Sequence, residues 1–418
     1  MHVEELYEER VDHRFKGLPP DAEGRTVGEL AAERRSIFDG GFTTPILTLS
    51  ASALEHNLAQ LEAYSAKHGL AFAPHGKTSM APQLFERQLA HGSWGITAAT
   101  PSQVRVYRTF GVQRIFLANE LVDAAALRWL SGELAADPDF RLVAYVDSVR
   151  GVELMEAALT HRLDVVVELG APGGRTGVRD AGVAREVADA VAAARHLRLV
   201  GVAGYEGELP VKTEESVTAW LRRLVALARD LDAAGRFADA EEIVLSAGGS
   251  AWFDSVAEVF SRVAADSFSR PVLKLLRSGA YVTHDDGHYR KTTPFHDRVA
   301  GEGSLRAAFQ LWAQVVSRPE AGLALLNAGK RDAAYDLDLP EVRAVRTLTG
   351  ERRPADGMKV TRLADQHAFV ALSEGAELEV GDWVALGLSH PCTTFDKWQL
   401  IPVVAEDDTV VDFVRTFF

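Results

Sequence analysis

Residues 141–170 read RLVAYVDSVRGVELMEAALTHRLDVVVELG, and this stretch decides the fold. RLVAYVD (141–147) and DVVVELG (164–170) are short apolar runs rich in β-branched residues, a composition typical of strands buried on both faces. A helical pattern lies between them, and Asp or Gly closes each run. Two such strands joined by a helix are the building block of a parallel sheet.

The same unit recurs on both sides of this stretch. Further strand candidates are LAFAPHG (70–76), GITAAT (95–100), RIFLAN (114–119), LVGVAGYEG (199–207), EIVLSAG (242–248) and VLKLLRSG (272–279). Helix candidates between the strands are PQLFERQLAHG (82–92), PSQVRVYRTFG (101–111), AREVADAVAAARHL (184–197) and AWLRRLVALARDLDAAG (219–235), several of which end in the Gly common at helix C-termini. Eight parallel strands with intervening helices predict a (β/α)₈ TIM-like barrel. A doubly wound open sheet is the alternative that this pattern leaves open.

Beyond residue 300 the pattern changes to strands with little helical periodicity, from AAFQLWAQVVS (307–317) to VVDFVRTFF (410–418). We therefore predict a helical N-terminal extension (1–43), an α/β barrel (44–290) and a C-terminal mainly-β domain (291–418).

Composition excludes several classes of function. The chain has 418 residues, 47% hydrophobic residues and a net charge of −14, and this acidic balance argues against a nucleic-acid partner. No apolar run reaches the roughly 18 residues of a transmembrane helix, and the charged N-terminus lacks the apolar core of a signal peptide. A single cysteine rules out an intrachain disulfide framework. We expect a cytoplasmic enzyme without a membrane partner.

The only cysteine lies two residues after a histidine, in LGLSHPCTTFDKWQL (386–400). Pro391 disfavours a helical conformation at His390, and in an extended chain residues i and i+2 project to the same side. His390 and Cys392 would then face one point, and imidazole with thiolate is a ligand pair that zinc prefers. Two protein ligands leave positions for substrate or water, as in a catalytic site. A buried thiol beside a hydrogen-bonded histidine is the alternative reading.

Chemistry is also expected at the carboxyl ends of the barrel strands, where active sites of such barrels lie. Lys77 follows the first barrel strand in APHGKTSM (73–80), and an amine there can form a Schiff base if its pKa is lowered. A solvated surface lysine is the simpler reading. A Gly-Gly-Ser turn between a strand and a helix offers free backbone N–H groups to a phosphate, and its members are Gly248, Gly249 and Ser250. Other strand ends supply Asn119, Asp147, Arg175 and Tyr205. A lysine, a phosphate cradle and an aromatic side chain together indicate pyridoxal phosphate.

PHGKT (74–78) resembles the segment that carries the Schiff-base lysine in the fold-type III pyridoxal-phosphate enzymes of the D-serine dehydratase and D-threonine aldolase group. HPCTTFDKW (390–398) is similar to the metal-binding signature of the D-serine and hydroxyaspartate dehydratases of this group. The order of the intervening motifs also follows the family from about residue 44 to the C-terminus. The resemblance does not cover the first 40 residues.

The resemblance implies that Lys77 binds the cofactor and removes the α-proton of a D-amino acid, and that His390 and Cys392 hold zinc or another divalent metal. It places Tyr205 beside the cofactor ring. The phosphate of the cofactor would be bound by Gly248, Gly249 and Ser250, together with the backbone near Gly279. Asp365 and His367 match a family segment near the active site. The expected protein is a homodimer that binds a small-molecule D-amino acid.

The implied reaction is dehydration and deamination of a β-hydroxy D-amino acid, either D-serine or D-threo-3-hydroxyaspartate. The family often has Arg and His where this chain has Ala73 and Ser79, which leaves the side-chain preference open. A metal-dependent D-threonine aldolase is the nearest alternative. A non-enzymatic pyridoxal-phosphate homeostasis protein is more distant, since those proteins consist of the barrel alone. A metal lyase without the organic cofactor is the third alternative.

Overall fold

The computed structural model describes residues 1–418. Its N-terminal part contains short 3₁₀ turns and one α-helix, α1 (Val27–Ala32). Thr26 and Glu29 cap this helix reciprocally through their side chains and backbone N–H groups. The segment buries Phe15 and Phe42, among other apolar side chains, against the C-terminal sheet. It is therefore less helical and more apolar in its contacts than the sequence suggested.

The first strand, β1 (Ile46–Ser50), belongs to the C-terminal sheet. It pairs antiparallel with residues 309–312 and parallel with residues 403–404. The predicted barrel segment begins at residue 44, but the hydrogen bonds of β1 are made outside the barrel. The domain boundaries as a whole stay a prediction.

The barrel consists of eight parallel strands in the order β2-β9-β8-β7-β6-β5-β4-β3. They are β2 (Ala71–Phe72), β3 (Ile96–Ala98), β4 (Arg114–Glu120), β5 (Arg141–Val146), β6 (Leu163–Leu169), β7 (Leu197–Gly204), β8 (Ile243–Ala247) and β9 (Val272–Leu276). Each lies within one of the predicted runs or overlaps it. A parallel bridge between His75 and Thr97 joins β2 to β3, so the sheet closes on itself. The predicted barrel is confirmed and the open-sheet alternative is wrong.

Helices surround this barrel. They are α2 (Ala51–Lys67), α3 (Pro82–Ala90), α4 (Pro101–Thr109), α5 (Ala124–Ala136), α6 (Val149–Ala158), α7 (Ala181–Ala193), α8 (Glu214–Ala233) and α9 (Phe253–Ser261). Most begin after a polar side chain that accepts a backbone N–H, for example Thr100 before α4 and Asp180 before α7. These caps terminate the strand-to-helix loops and fix the mouth of the barrel.

After the barrel, α10 (His288–Thr292) leads into the C-terminal domain. Its strands are β10 (Phe309–Glu320), β11 (Leu323–Leu326), β12 (Glu341–Arg346), β13 (Arg352–Pro354), β14 (Met358–Leu363), β15 (Ala368–Leu372), β16 (Trp383–Gly387), β17 (Leu400–Val404) and β18 (Val410–Arg415). With β1 they form a ten-stranded sheet, in which β13 is the one strand that the sequence did not suggest. A short helix, α11 (Pro391–Phe395), interrupts the strands. The predicted C-terminal β domain is confirmed.

One apolar core runs through the barrel and into the C-terminal sheet. The backbone N–H of Asp286, at the end of the barrel, donates to the carbonyl of Leu388 at 2.9 Å. This contact fixes the segment before α11 against the barrel mouth. The two parts are therefore packed so that a C-terminal segment contributes to the wall of a barrel cavity.

Candidate active site

A cavity of about 320 Å³ lies at the carboxyl-terminal mouth of the barrel. It contains every residue that the sequence proposed for cofactor and metal, although these residues span most of the chain. They are Lys77, Tyr205, Gly248, Gly249, Ser250, Gly279, His390 and Cys392. The structure brings these residues together, and the role of each one stays a prediction.

Lys77 lies in a 3₁₀ turn directly after β2. Burial lowers the pKa of its amine. The charge of Cys392 raises this pKa in part, whereas the positive charges of Arg175 and Arg277 lower it further. A lowered pKa increases the share of neutral amine, which is the nucleophilic form. The environment of Lys77 therefore suits a nucleophile or base better than a solvated surface lysine.

His390 is not extended, contrary to the sequence analysis. Its φ of 55° lies in the left-handed region, and Pro391 begins α11 instead of continuing a strand. Proline is favoured at the first position of a helix because its missing N–H needs no partner there. His390 and Cys392 thus converge through a turn into a helix, and the i, i+2 argument from an extended chain was wrong.

Interaction with Cys392 raises the pKa of His390 most strongly. Interaction with Asp336 adds to this effect, so that the pKa reaches about 9 although burial opposes the charged form. Burial raises the pKa of the Cys392 thiol, but His390, Thr78 and the charge of Lys77 together outweigh burial and lower it. The Sγ atom of Cys392 lies 3.6 Å from Oγ1 of Thr78, the residue after Lys77. Cys392 is therefore adjacent to the turn that carries Lys77.

Two aspartates hold His390 in place. Asp336 lies 2.5 Å from Nδ1 of His390 through Oδ2, and its Oδ1 accepts a hydrogen bond from Thr393 at 2.8 Å. Asp285 is 1% exposed and accepts the backbone N–H of His390 at 2.9 Å. Since Nδ1 contacts a carboxylate, Nε2 is the nitrogen left for a metal. Sequence reasoning missed both aspartates because each is more than 50 residues away from His390.

The Gly-Gly-Ser turn differs from its prediction. The backbone N–H groups of Gly248 and Gly249 are not free, because they donate to the carboxylate of Glu206 at 3.0 and 2.8 Å. Glu206 is fully buried, and burial raises its pKa. It follows Tyr205 in the turn after β7, which brings the carboxylate to the neighbouring strand end. The expectation of two free glycine amides was therefore wrong.

The remaining donors for a phosphate lie on Ser250 and around Gly279. The hydroxyl of Ser250 accepts the backbone N–H of Ala280 at 3.3 Å, so the loops after β8 and β9 meet at this point. A Cβ at Gly279 would lie 2.6 Å from Cβ of His75 and 2.8 Å from the Thr78 hydroxyl. Only glycine allows this close approach of the loop after β9 to the loop after β2.

Arg277 forms the floor of the cavity and was missed in the sequence. It is 3% exposed, and it donates to the Ser246 hydroxyl at 2.8 Å and to the carbonyl of Gly204 at 2.6 Å. Its guanidinium lies 5.1 and 5.7 Å from the ring centres of Phe116 and Tyr145. An Arg directly after a barrel strand is the signal that would have revealed it.

Three carboxylates near the carboxyl ends of β4, β5 and β6 lie with ligand atoms within 4.8 Å of one another, on Glu120, Asp147 and Glu168. Glu168 lines the cavity and its Oε2 atom has no hydrogen-bond partner. Burial and the charge of Glu168 raise the pKa of Glu120 to about 9. Of the other sequence candidates, Asn119 and Arg175 line the cavity as well. Asp365 and His367 are exposed in the β14–β15 hairpin and do not line it.

Comparison with known proteins assigns these features to a family. Residues 49–263, more than half of the chain, match the alanine racemase N-terminal domain, and residues 308–404 match a domain described as "Putative serine dehydratase domain". The chain belongs to the alanine racemase N-terminal domain family. The resemblance to fold-type III pyridoxal-phosphate enzymes is thereby confirmed.

Curated relatives of this alanine racemase-type chain are distant but nearly full length. A D-threonine aldolase from Arthrobacter sp is 27% identical over 88% of this chain and 90% of its own. A 3-hydroxy-D-aspartate aldolase from Paracoccus denitrificans is 26% identical over 90% of this chain and 93% of its own. Among solved structures, D-threonine aldolase from Filomicrobium marinum has a TM-score of 0.72 at 23% identity, covering 90% of this chain and 95% of that one. D-threo-3-hydroxyaspartate dehydratase from Delftia sp. HT23 has a TM-score of 0.68 at 21% identity, covering 90% and 98%. These structural likenesses show the fold.

The cavity of this alanine racemase-type barrel suits the cofactor that the family implies. Lys77 supplies a buried amine, and Gly279 lines the same cavity with its backbone. Nδ1 of His75 and the hydroxyl of Tyr145 are buried in the cavity wall without a partner, as expected where a polar ligand binds. The imidazole and thiol of His390 and Cys392 likewise suit a divalent, zinc-type metal.

No helix of the structure is both long enough and apolar enough to span a membrane.

Proposed function

We propose that this protein is a lyase dependent on pyridoxal phosphate and a divalent metal, most simply zinc. It would dehydrate and deaminate a β-hydroxy D-amino acid, of the D-serine or D-threo-3-hydroxyaspartate type, to a keto acid and ammonia. The observation that carries the proposal is the convergence of Lys77, His390 and Cys392 on one cavity. A base for the α-proton and a metal pair for the β-hydroxyl are the two elements that such an elimination requires.

When bound, pyridoxal phosphate would supply an electron sink at the α-carbon, and the metal would supply a Lewis acid for the β-oxygen. Lys77 is the proposed cofactor lysine, and its neutral Nζ accepts the α-proton. Tyr205 borders the cofactor ring, and Ser250 and the backbone at Gly279 bind the phosphate. His390 and Cys392 hold the metal, and Asp336 keeps Nε2 of His390 directed at it. Loss of water followed by hydrolysis gives the keto acid and ammonia.

Cys392 favours elimination over carbon–carbon cleavage in this proposal. Solved relatives include a cysteine-to-alanine mutant of the D-threo-3-hydroxyaspartate dehydratase in a metal-free form. Cys392 itself lies in HPCTTFDKW (390–398), and the resemblance of this segment to the dehydratase signature supports a metal-binding role for it. The contribution of the β domain to the cavity also argues against a homeostasis protein made of the barrel alone.

A metal-dependent D-threonine aldolase is the second candidate. Both curated relatives described above carry aldolase names, and they cover nearly the whole chain. The same base and metal pair would serve it, with the β-hydroxyl proton removed and the Cα–Cβ bond broken. The products would then be glycine and an aldehyde.

Product analysis separates the two. The purified protein, loaded with pyridoxal phosphate and zinc, is incubated with D-serine, D-threonine and D-threo-3-hydroxyaspartate, with L-serine as the stereochemical control. We expect a keto acid and ammonia in equal amounts from at least one D-substrate and none from L-serine. Glycine without ammonia would replace our proposal by the aldolase.

We also propose that the active form is a homodimer. The C₂ dimer is the commonest assembly of soluble enzymes, and the family resemblance implies it. Light scattering of the active protein should give twice the monomer mass. A fully active monomer would contradict this assignment.

A further inference from the structure

Arg175, on the wall of the cavity, already has an ionic partner. Its Nε lies 3.1 Å from Oε1 of Glu208, and its guanidinium lies 5.4 Å from the ring centre of Tyr205. Glu208 is 29% exposed and belongs to the turn after β7, whereas Arg175 belongs to the loop after β6. The charge of Arg175, whose side chain is 60% exposed, is thus paired within the protein.

The other cations of the cavity wall are not available for a second carboxylate either. Lys77 is the proposed cofactor lysine. Arg277 is buried and directs its donors to Ser246 and Gly204 inside the barrel. No further lysine or arginine lines the cavity. A substrate with a carboxylate side chain would therefore find no unpaired lysine or arginine on the cavity wall.

Negative charge on the wall adds to this effect. Glu168 is 6% exposed, lines the cavity and has an unpartnered carboxylate oxygen. A second carboxylate on the substrate would lie in the same cavity as Glu168, where like charges repel more strongly than in water.

We propose that the ion pair between Arg175 and Glu208 makes this site selective for D-amino acids with an uncharged side chain, such as D-serine and D-threonine, over 3-hydroxyaspartate. The inference deepens the proposed function and rests on it for the identity of the substrate class. Glu208 is the residue that determines specificity, because it pairs with the one arginine of the cavity wall that could otherwise bind a side-chain carboxylate.

A binding experiment tests the selectivity without requiring turnover. D-Asparagine and D-aspartate are nearly isosteric, differ by one charge and lack a β-hydroxyl. Each is titrated into the cofactor-loaded protein, and the change in cofactor absorbance gives its Kd. We expect the wild-type protein to bind D-asparagine more tightly than D-aspartate.

Glu208→Gln keeps the size of the side chain and removes its charge. It should lower the Kd of D-aspartate relative to that of D-asparagine by about fivefold, the effect expected of one partly exposed ionic partner. Adding Arg175→Gln to this variant should abolish the gain. Glu215→Gln, an exposed acid on α8, is the matched control and should leave the ratio unchanged.

Three outcomes would overturn the inference: equal or tighter binding of D-aspartate by the wild type, an unchanged ratio in Glu208→Gln, or no response to either ligand. The proposed function fails separately, if the wild-type protein turns over none of the β-hydroxy D-amino acids. D-Serine turnover in the same preparations keeps the two results distinguishable.

Discussion

Replacing Asp336 should weaken metal binding without affecting the cofactor. Asp336 contacts Nδ1 of His390 and is itself fixed by the Thr393 hydroxyl. A carboxylate on the far nitrogen of a metal-bound imidazole orients the ring and makes it a better ligand, and its loss costs about 10- to 100-fold in metal affinity. The Asp336 side chain is 42% exposed, so solvent screens part of its charge. We therefore expect the lower end of this range for Asp336→Ala, about tenfold, which corresponds to about 1.4 kcal/mol.

The zinc affinity is measured by competition with a chelating dye, on protein saturated with pyridoxal phosphate. Asp336→Asn keeps an oxygen acceptor for His390 and should lose less affinity than Asp336→Ala. Asp396→Ala is the matched control, because Asp396 lies at the end of α11 and its carboxylate pairs with Lys397. The cofactor spectrum should be the same in all three variants. A zinc Kd of Asp336→Ala equal to that of the wild type would refute the assignment of Nε2 of His390 as a metal ligand oriented by Asp336.

Three further results follow from the site. Lys77→Ala should lose the cofactor absorbance of the lysine adduct and all turnover while keeping its circular dichroism spectrum; normal turnover of D-serine would contradict its role. Glu206→Ala leaves the two buried N–H groups of Gly248 and Gly249 without acceptors, which costs about 1–3 kcal/mol each. This variant should therefore unfold at lower denaturant concentration, and bind pyridoxal phosphate more weakly, than Glu206→Gln. Equal behaviour of the two variants would contradict the role of Glu206 as the acceptor that holds the Gly248–Gly249 turn. Burial and Glu168 raise the pKa of Glu120 from 4.5 to about 9, so the folded state retains a proton that the unfolded state releases, and stability falls as pH rises through this window. Glu120→Gln removes that loss, so between pH 5 and pH 8.5 it should gain stability relative to the wild type by up to about 1.4 kcal/mol per pH unit in denaturant unfolding. A difference independent of pH would show that the carboxyl is not held protonated.

The regular part of the fold follows from local sequence. Strands such as β5 and β6 are marked by continuous β-branched runs, because parallel strands covered on both faces need apolar side chains at every position. Helix starts are marked by caps such as Thr100 and Asp180, whose hydrogen bonds reach only three residues along the chain. Lys77 was identifiable for the same reason, since its place at the end of a strand depends on its immediate neighbours.

The contacts that complete the site depend on tertiary structure. The carboxylate of Glu206 accepts hydrogen bonds from the backbone N–H groups of Gly248 and Gly249, which are 42 and 43 residues away along the chain. The sequence Gly-Gly-Ser alone does not indicate that these donors already have an acceptor. Asp336 meets His390 because β-domain loops converge at the barrel mouth, not because of any spacing between them.

His390 shows how a local rule can give the right result by the wrong route. Pro391 was taken to keep the chain extended, whereas the fold uses it as the first residue of α11, with His390 at φ 55°. Strand β1 also depends on distant residues. Its sequence ILTLS is apolar enough for either sheet, and its pairing with residues 309–312 places it in the C-terminal sheet. Sequence alone determined which segments form strands and helices and which residue types carry the chemistry, since both depend on neighbours in the chain. Only the tertiary structure decided which groups are paired, buried or left free, because those free energies depend on partners that are far away in sequence.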